Sequence, residues 1–185
     1  NAAIALLGNT IATGSILYVL ITIFGPISGA HFNPTVTVAM LIAKKITAKD
    51  AIIFIILQIL GAGLGVLIAH GMFELDIFQI SSKLRQGASQ GFSEIIATFG
   101  LILVIFGGLK LRADAIPALV GFYITSAYWF TASTSFANPA VTLARSLSDT
   151  FAGINPSNII MFISCQFIGM LVALILVKYI FSEKE

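Results

Sequence analysis

Charge is what this sequence has least of. Only 10% of its 185 residues are Asp, Glu, Lys or Arg, where a soluble domain carries about 25%. A chain with so little charge cannot cover a surface that faces water, and 58% of its residues are hydrophobic, with a mean hydropathy of +1.02. A bilayer removes the need for that cover, so the composition points to an integral, multi-pass membrane protein whose contact surface is lipid. The formal net charge is +2 with no run of Lys and Arg, which excludes nucleic acid as a partner. Cysteine is equally sparse: Cys165 stands alone in an apolar run and has no internal partner for a disulfide. No hydrophilic stretch is long enough for a second domain, so residues 1–185 read as one transmembrane unit. Catalytic signatures are missing as well. There is no Ser/His/Asp set, metal-ligand cluster or phosphate loop, and the nearest acid pair, Glu74 and Asp76, has no histidine beside it. The chain reads as no enzyme, with no cofactor and no metal site.

Long apolar runs are abundant. A spanning helix needs about 20 mostly apolar residues, and five stretches are expected to span: Ala3–Phe24, Ala51–His70, Phe92–Leu109, Ala115–Thr131 and Ile159–Ile180. Two of the separators, Gly25–Ala43 and Ala132–Leu147, are too apolar for ordinary loops and too short to cross. Each holds an Asn followed directly by Pro. Asn is a good N-cap, and Pro suits the first helical position because its missing N–H would be unpaired there anyway. Asn33-Pro34 and Asn138-Pro139 therefore predict two short helices starting inside the membrane.

The two segments repeat one another. Asn33-Pro34-Thr35-Val36-Thr37-Val38-Ala39 aligns without gaps on Asn138-Pro139-Ala140-Val141-Thr142-Leu143-Ala144, with five of seven positions identical. Downstream, Phe54-Ile55-x-x-Gln58-x-x-Gly61 recurs as Phe162-Ile163-x-x-Gln166-x-x-Gly169. The copies define a first half-repeat over residues 1–70 and a second over 91–181. Phe92–Leu109 is the one extra span between them, so the second copy enters the membrane upside down. That makes an inverted repeat with paired broken helices near the midplane. If the segment after the first half-helix is cytoplasmic, Lys44, Lys45, Lys49, Lys110, Arg112, Lys178 and Lys184 lie inside, and Lys83, Arg85 and Arg145 outside. Seven against three follows the positive-inside rule. A complete repeat predicts a further helix ahead of Ala3, so five of six spans are expected here and the sequence reads as a fragment.

Irregular backbone at membrane depth is tolerated only where protein buries it or water wets it. Two half-helices starting near the midplane bring their N-termini face to face, each with unpaired N–H groups and roughly half a positive charge. A cation meets two positive ends. A water or hydroxyl oxygen instead meets the amides of Asn33 and Asn138, which orient it so that its hydrogens point away and no proton chain forms.

These residues carry a resemblance. Gly25-Pro26-Ile27-Ser28-Gly29-Ala30-His31-Phe32-Asn33-Pro34-Thr35-Val36-Thr37 resembles the first signature loop of the aquaporin, or major intrinsic protein, family, and Ser135-Phe136-Ala137-Asn138-Pro139-Ala140 resembles the second. The similarity runs from the family's second helix to its sixth. It implies an all-α aquaporin-like fold, a passive pore for water and small uncharged solutes, and a homotetramer of independently conducting subunits, here of bacterial aquaglyceroporin type in the inner (cytoplasmic) membrane. It also implies roles. Asn33, Pro34, Thr35, Asn138, Pro139 and Ala140 would form the central selectivity motifs, and His31 a cytoplasmic wall of the pore. Glu94 would hydrogen-bond the loop that bears the first half-helix, with Gln58 and Gln166 bracing the half-helices.

The chain departs from the family pattern at two places. Thr35 stands where the family usually has Ala, a wall position. Val141 stands where most members have the Arg of the narrowest filter, while an Arg occurs at 145. On a helix four residues add about 400°, so Arg145 points within roughly 40° of Val141 and about 6 Å along the axis, where it either guards the outer mouth or snorkels to headgroups and packs in the loop. The remaining filter positions fall on Thr13, Ser135 and, counting from Gly121, Tyr128; a gapless count from Asn138 gives Ser126 instead. A filter of Thr13, Tyr128, Ser135 and Val141 has no fixed cation, which favours glycerol-sized neutral solutes. Family members with this Val are linked to neutral metalloid (arsenic) species. Tyr128 and Trp129 also fit plain interfacial aromatics, and His70, ending a span, is expected at the interface. Two other classes use comparable features. A secondary transporter shares inverted repeats but needs an ionisable coupling site, for which Glu94 is the only mid-span carboxylate. A closed-pore structural protein would conduct nothing.

Overall fold

The first apolar run becomes a helix whose start is fixed by Asn1, whose side chain accepts from the Ile4 N–H. This helix, α1 (Ala2–Ser28), continues through Pro26 and stops only at Gly29, which takes a left-handed φ of 78° and donates its N–H to Gly25 O. The span therefore extends four residues past the expected Phe24. Pro26 lies in the last turn, where it removes the N–H that would bond Thr22 O, and glycine then closes the helix without a Cβ penalty. The computed structural model describes residues 1–181, which are helical with no strand among them. Lys184, counted above on the inner side, lies outside the described residues.

Six more α-helices follow: α2 (Pro34–Ile42), α3 (Ala48–Met72), α4 (Ala88–Leu111), α5 (Ile116–Phe130), α6 (Pro139–Arg145) and α7 (Ile159–Ile180). The Thr47 hydroxyl caps α3 by accepting from Asp50 N at 3.1 Å and donating to Asp50 Oδ2 at 2.7 Å, so cap and first-turn acid support each other. Four helices are long and apolar enough to cross a membrane: α1, α3, α4 and Pro156–Ile180, which joins a short 3-10 turn to α7. The expected fifth span is shorter. Its residues form α5, 15 residues long after a 3-10 turn over Ala113–Ala115, about 22 Å of helix against a hydrocarbon core of about 30 Å. Pro117 sets its start, and Thr131 leaves the helix in an extended conformation.

Helix contacts place the core off-centre. The largest interfaces join α4 to α7 and α1 to α5. At the α1–α5 crossing two glycines permit close approach: a Cβ on Gly14 would sit 3.0 Å from Gly121 O, and one on Gly121 would sit 2.9 Å from Gly14 O. At the α4–α7 crossing a Cβ on Gly169 would sit 3.0 Å from Phe99 N. The main core gathers Leu101, Ile102, Ile105 and Phe106 of α4 with Val36, Val120, Ile124 and Met170. The outer face of α3 is bare, with Ile52, Leu57, Leu60 and Leu64 between 59% and 64% exposed.

Candidate functional site: a cavity past two facing half-helices

The short helices begin where the Asn-Pro pairs predict. Asn33 and Asn138 are both extended N-caps, with Pro34 and Pro139 in the first turn. Asn33 Oδ1 accepts from Thr35 N at 2.9 Å, and Asn138 Oδ1 from Ala140 N at 3.0 Å and Val141 N at 3.3 Å. The Nδ2 groups cross over. Asn33 Nδ2 donates to Ala137 O at 2.7 Å, and Asn138 Nδ2 donates to Phe32 O at 2.9 Å. Each amide carries two N–H donors, so one ties the half-helices together and one is left for the space beside them.

The loops leading in repeat in conformation as well as in sequence. Gly29, Ala30 and Phe32 have φ of 78°, 48° and 48°, and at the equivalent positions Thr134, Ser135 and Ala137 have 62°, 49° and 48°. Five of these six are not glycine, and a left-handed conformation costs an L residue roughly 1–2 kcal/mol. Backbone strain repeated in two copies has to be held by its surroundings, and such strain concentrates at functional sites.

In the second loop the holder is Glu94 of α4. Fully buried, it accepts from Phe136 N at 2.9 Å and Ala137 N at 2.8 Å, and from Gln166 Nε2 at 2.7 Å. The expectation that Glu94 serves the first loop is corrected: α4 belongs to the second half and packs on α7, so its carboxylate reaches the second loop. Gln58 and Gln166 each brace a half-helix, donating to Thr37 Oγ1 and Thr142 Oγ1, both at 2.9 Å. Thr35 is corrected too. It is fully buried, does not line the cavity, and donates its hydroxyl to Asn33 Oδ1 at 2.7 Å, a bond that Ala140 cannot supply to Asn138.

A cavity of about 570 Å³ runs past the Asn pair. It follows α1 from Asn9 to its C-cap Gly29, ~30 Å of helix. Thr13, His31, Asn33, Tyr128, Ser135, Asn138, Val141 and Arg145 all line it, while Pro34, Pro139 and Ala140 are buried behind. Ser135 Oγ is buried and has no hydrogen-bond partner among the described residues. His31 Nδ1 lies 3.2 Å from Thr37 Oγ1, and its ring meets Phe54 edge-on at 5.6 Å. Of the two α5 alternatives, Tyr128 is 4% exposed and faces the cavity; Ser126 is exposed, with its hydroxyl returned to Phe122 O. Tyr128 is thus no interfacial aromatic, unlike Trp129 beside it at 51% exposure. His70, near the end of α3, is enclosed by protein. It is buried on the cavity wall, with Nδ1 2.9 Å from Ile77 O and Nε2 3.1 Å from Ser148 Oγ.

A cation stands closer to the filter positions than sequence reasoning placed it. Arg145 Nη2 donates to Tyr128 Oη at 2.9 Å, and Tyr128 Oη lies 3.5 Å from Thr13 Oγ1. The Arg145 guanidinium also lies 4.4 Å from the Phe136 ring centroid. Sequence reasoning missed a second cation, Arg85, because nothing in its surroundings in the chain marks it as buried. Its Nε, Nη1 and Nη2 donate to Gly153 O, Ser133 O and Phe151 O, at 2.7, 2.9 and 3.2 Å, and it lies 4.8 Å from the other contact of Arg145, the Phe136 ring. Burial, and after it the neighbouring charge of Arg145, push the Arg85 guanidinium down to about 10.

Spanning helices, facing half-helices and a long, largely apolar cavity that passes two asparagine amides fit an integral membrane channel. The major intrinsic protein family model matches residues 1–131, and the chain belongs to that family. The match ends before the second Asn-Pro pair. Similarity to individual proteins extends past it: the chain is 49% identical over 178 residues to aquaglyceroporin AqpS of Rhizobium meliloti (strain 1021), covering 96% of this chain and 76% of that protein. Aquaporin PIP2-5 of Oryza sativa subsp. japonica is 32% identical over 119 residues, covering 60% of this chain and 42% of that protein. Probable aquaporin PIP2-5 of Arabidopsis thaliana is also 32% identical over 119 residues, covering 60% of this chain and 41% of its own length. The chain functions as a membrane channel for water and small solutes and not as an enzyme.

Proposed function

We propose that this channel is a passive pore for glycerol-sized neutral solutes, neutral metalloid species among them, and that it excludes ions and protons. The observation that carries the reading is the reciprocal pair of bonds between Asn33, Ala137, Asn138 and Phe32 at the wall of a continuous cavity. Two helix N-termini and two spare amide donors favour a neutral oxygen over a cation there. Thr13, Tyr128, Ser135 and Val141 form the outer filter. An apolar Val141 in that ring leaves one wall without a donor, which suits the carbon skeleton of a polyol. Arg145, drawn onto Tyr128, stands at the outer edge of the ring. His31 forms the inner wall, and Glu94, Gln58 and Gln166 hold the loops. The working unit is a homotetramer, and its place is the bacterial cytoplasmic membrane, the latter supported by the similarity to a rhizobial aquaglyceroporin. Stopped-flow light scattering on proteoliposomes of the full-length protein tests this. Glycerol permeability well above that of empty vesicles, unchanged by an imposed proton or sodium gradient, is the expected result; gradient-dependent uptake would replace the pore with a coupled transporter.

A further inference from the structure

Three cations and no carboxylate line one cavity at the outer mouth, while Glu74, Asp76 and Asp149 stand on the loops around it. A second cavity, of about 480 Å³, opens between the loop before α4 and the loop after α6, and it shares Asn9, Arg145 and Ala152 with the main cavity. Lys83, Arg85 and Arg145 line it together with Gln86, Gln90 and Thr134, and no Asp or Glu does. Asp149, on the neighbouring loop, accepts from Ser82 N and Oγ at 2.8 and 2.9 Å, keeps its charge, and lies outside the cavity lining. Glu94 lies behind the second Asn-Pro loop with its oxygens on three N–H donors.

Counting donors separates the three cations. Arg85 spends its N–H groups on backbone carbonyls and the Thr134 hydroxyl, so it is a structural strut. Arg145 uses Nη2 on Tyr128, and among the described residues its Nε and Nη1 have no acceptor. Lys83 is exposed at the rim, and among the described residues its Nζ has none. Two arginines share one aromatic ring, and a lysine stands on the same loop two residues from the buried one. A cleft lined by one sign of charge over low-dielectric walls concentrates the opposite sign. Spare N–H donors on Arg and Lys are matched by oxyanion oxygens.

We propose that this vestibule is a binding site for a small oxyanion, phosphate or carboxylate in class, held by Lys83 and Arg145, and that its occupant obstructs the outer mouth. The site is read from charge and geometry, and it rests on the pore reading only for its flux readout. An anion seated against Arg145 stands over Tyr128 and Thr13, in the path of any solute entering the filter. The shared chemistry is a phosphate oxygen, and its source is either free phosphate or a lipid headgroup.

The test uses the full-length protein in vesicles of phosphatidylcholine alone and of phosphatidylcholine with phosphatidylglycerol, at low ionic strength, with chloride as the matched control. Inorganic phosphate is expected to lower glycerol permeability at least about threefold in the neutral vesicles, and Lys83→Gln to remove most of that effect. If permeability is instead already low in phosphatidylglycerol vesicles and Lys83→Gln restores it, the headgroup is the occupant and the site stands. Lys83 is exposed, so its variant is expected to fold; Arg145→Gln gives the second cation's share. Phosphorus NMR line broadening of phosphate by the detergent-solubilised protein, lost in Lys83→Gln, reads binding without flux. A protein that binds phosphate but passes no glycerol would sink the pore reading and keep the site. No broadening, together with equal permeability in phosphate and chloride and in both lipids, would overturn it.

Discussion

The two halves of this chain reach the same loop conformation by different supports. Left-handed residues fall at matching positions, and both Asn side chains cap and cross in the same way. Behind the second loop stands Glu94, which gathers two backbone N–H groups and Gln166. Among the described residues no side chain accepts from the equivalent His31 and Phe32 N–H groups, and Gln58 Oε1 is buried without a partner. Gly169 is packed against the backbone of α4, while a Cβ on its repeat mate Gly61 would meet nothing within 4 Å. In the first half the Thr35 hydroxyl donates to Asn33 Oδ1, and His31 and Gln58 converge on Thr37. The left-handed turns and the Asn-Pro cap are thus the part that both copies share among the described residues.

That contrast can be broken from either side. Removing the carboxylate with Glu94→Ala leaves three donors unsatisfied in a dry site, each worth about 1–3 kcal/mol, so this variant should lose several kcal/mol. Thermal unfolding in detergent checks it, and Glu94→Gln should recover part of the loss because an amide oxygen still accepts. The glutamines come next. Gln166→Leu severs bonds to both Glu94 and Thr142, whereas Gln58→Leu severs only the one to Thr37. Neutral hydrogen bonds contribute about 0.5–1.5 kcal/mol and those to a carboxylate about 1.5–3. The midpoint of unfolding should therefore fall further for Gln166→Leu, and equal shifts would remove the asymmetry. The smallest effect belongs to Thr35→Ala, which makes the first motif match the second. It should cost about 1 kcal/mol and leave glycerol flux near that of the parent, because the hydroxyl faces Asn33 Oδ1 and not the cavity.

Much of this was legible in the sequence because it is local. Asn followed by Pro writes a cap, and a gapless repeat writes the symmetry, so α2 and α6 start where expected. Helical register then decides between Tyr128 and Ser126, which lie on different faces of α5. What stayed hidden depends on which elements cross. The partner of Glu94 follows from α4 packing on α7, a fact the apolar pattern of either helix does not carry. Arg85 sits in an irregular loop, and its burial is created by carbonyls 48 to 68 residues away. Thr35 reads as a wall residue until its hydroxyl is seen to point back at the cap. His70 ends an apolar run as interfacial residues do, yet the loop after α6 folds over it and supplies Ser148.

Val141 is where a solute filter and a water filter would diverge, so the most direct measurement is the ratio of glycerol to water permeability for the parent protein and for Val141→Arg in the same vesicles. The parent should pass glycerol readily, and the added guanidinium, next to Tyr128 and Ser135, should cut glycerol permeability about tenfold while sparing most of the water flux. A parent that passes water but excludes glycerol, with Val141→Arg leaving the ratio unchanged, would contradict the assignment and move the constriction to Arg145 and Tyr128.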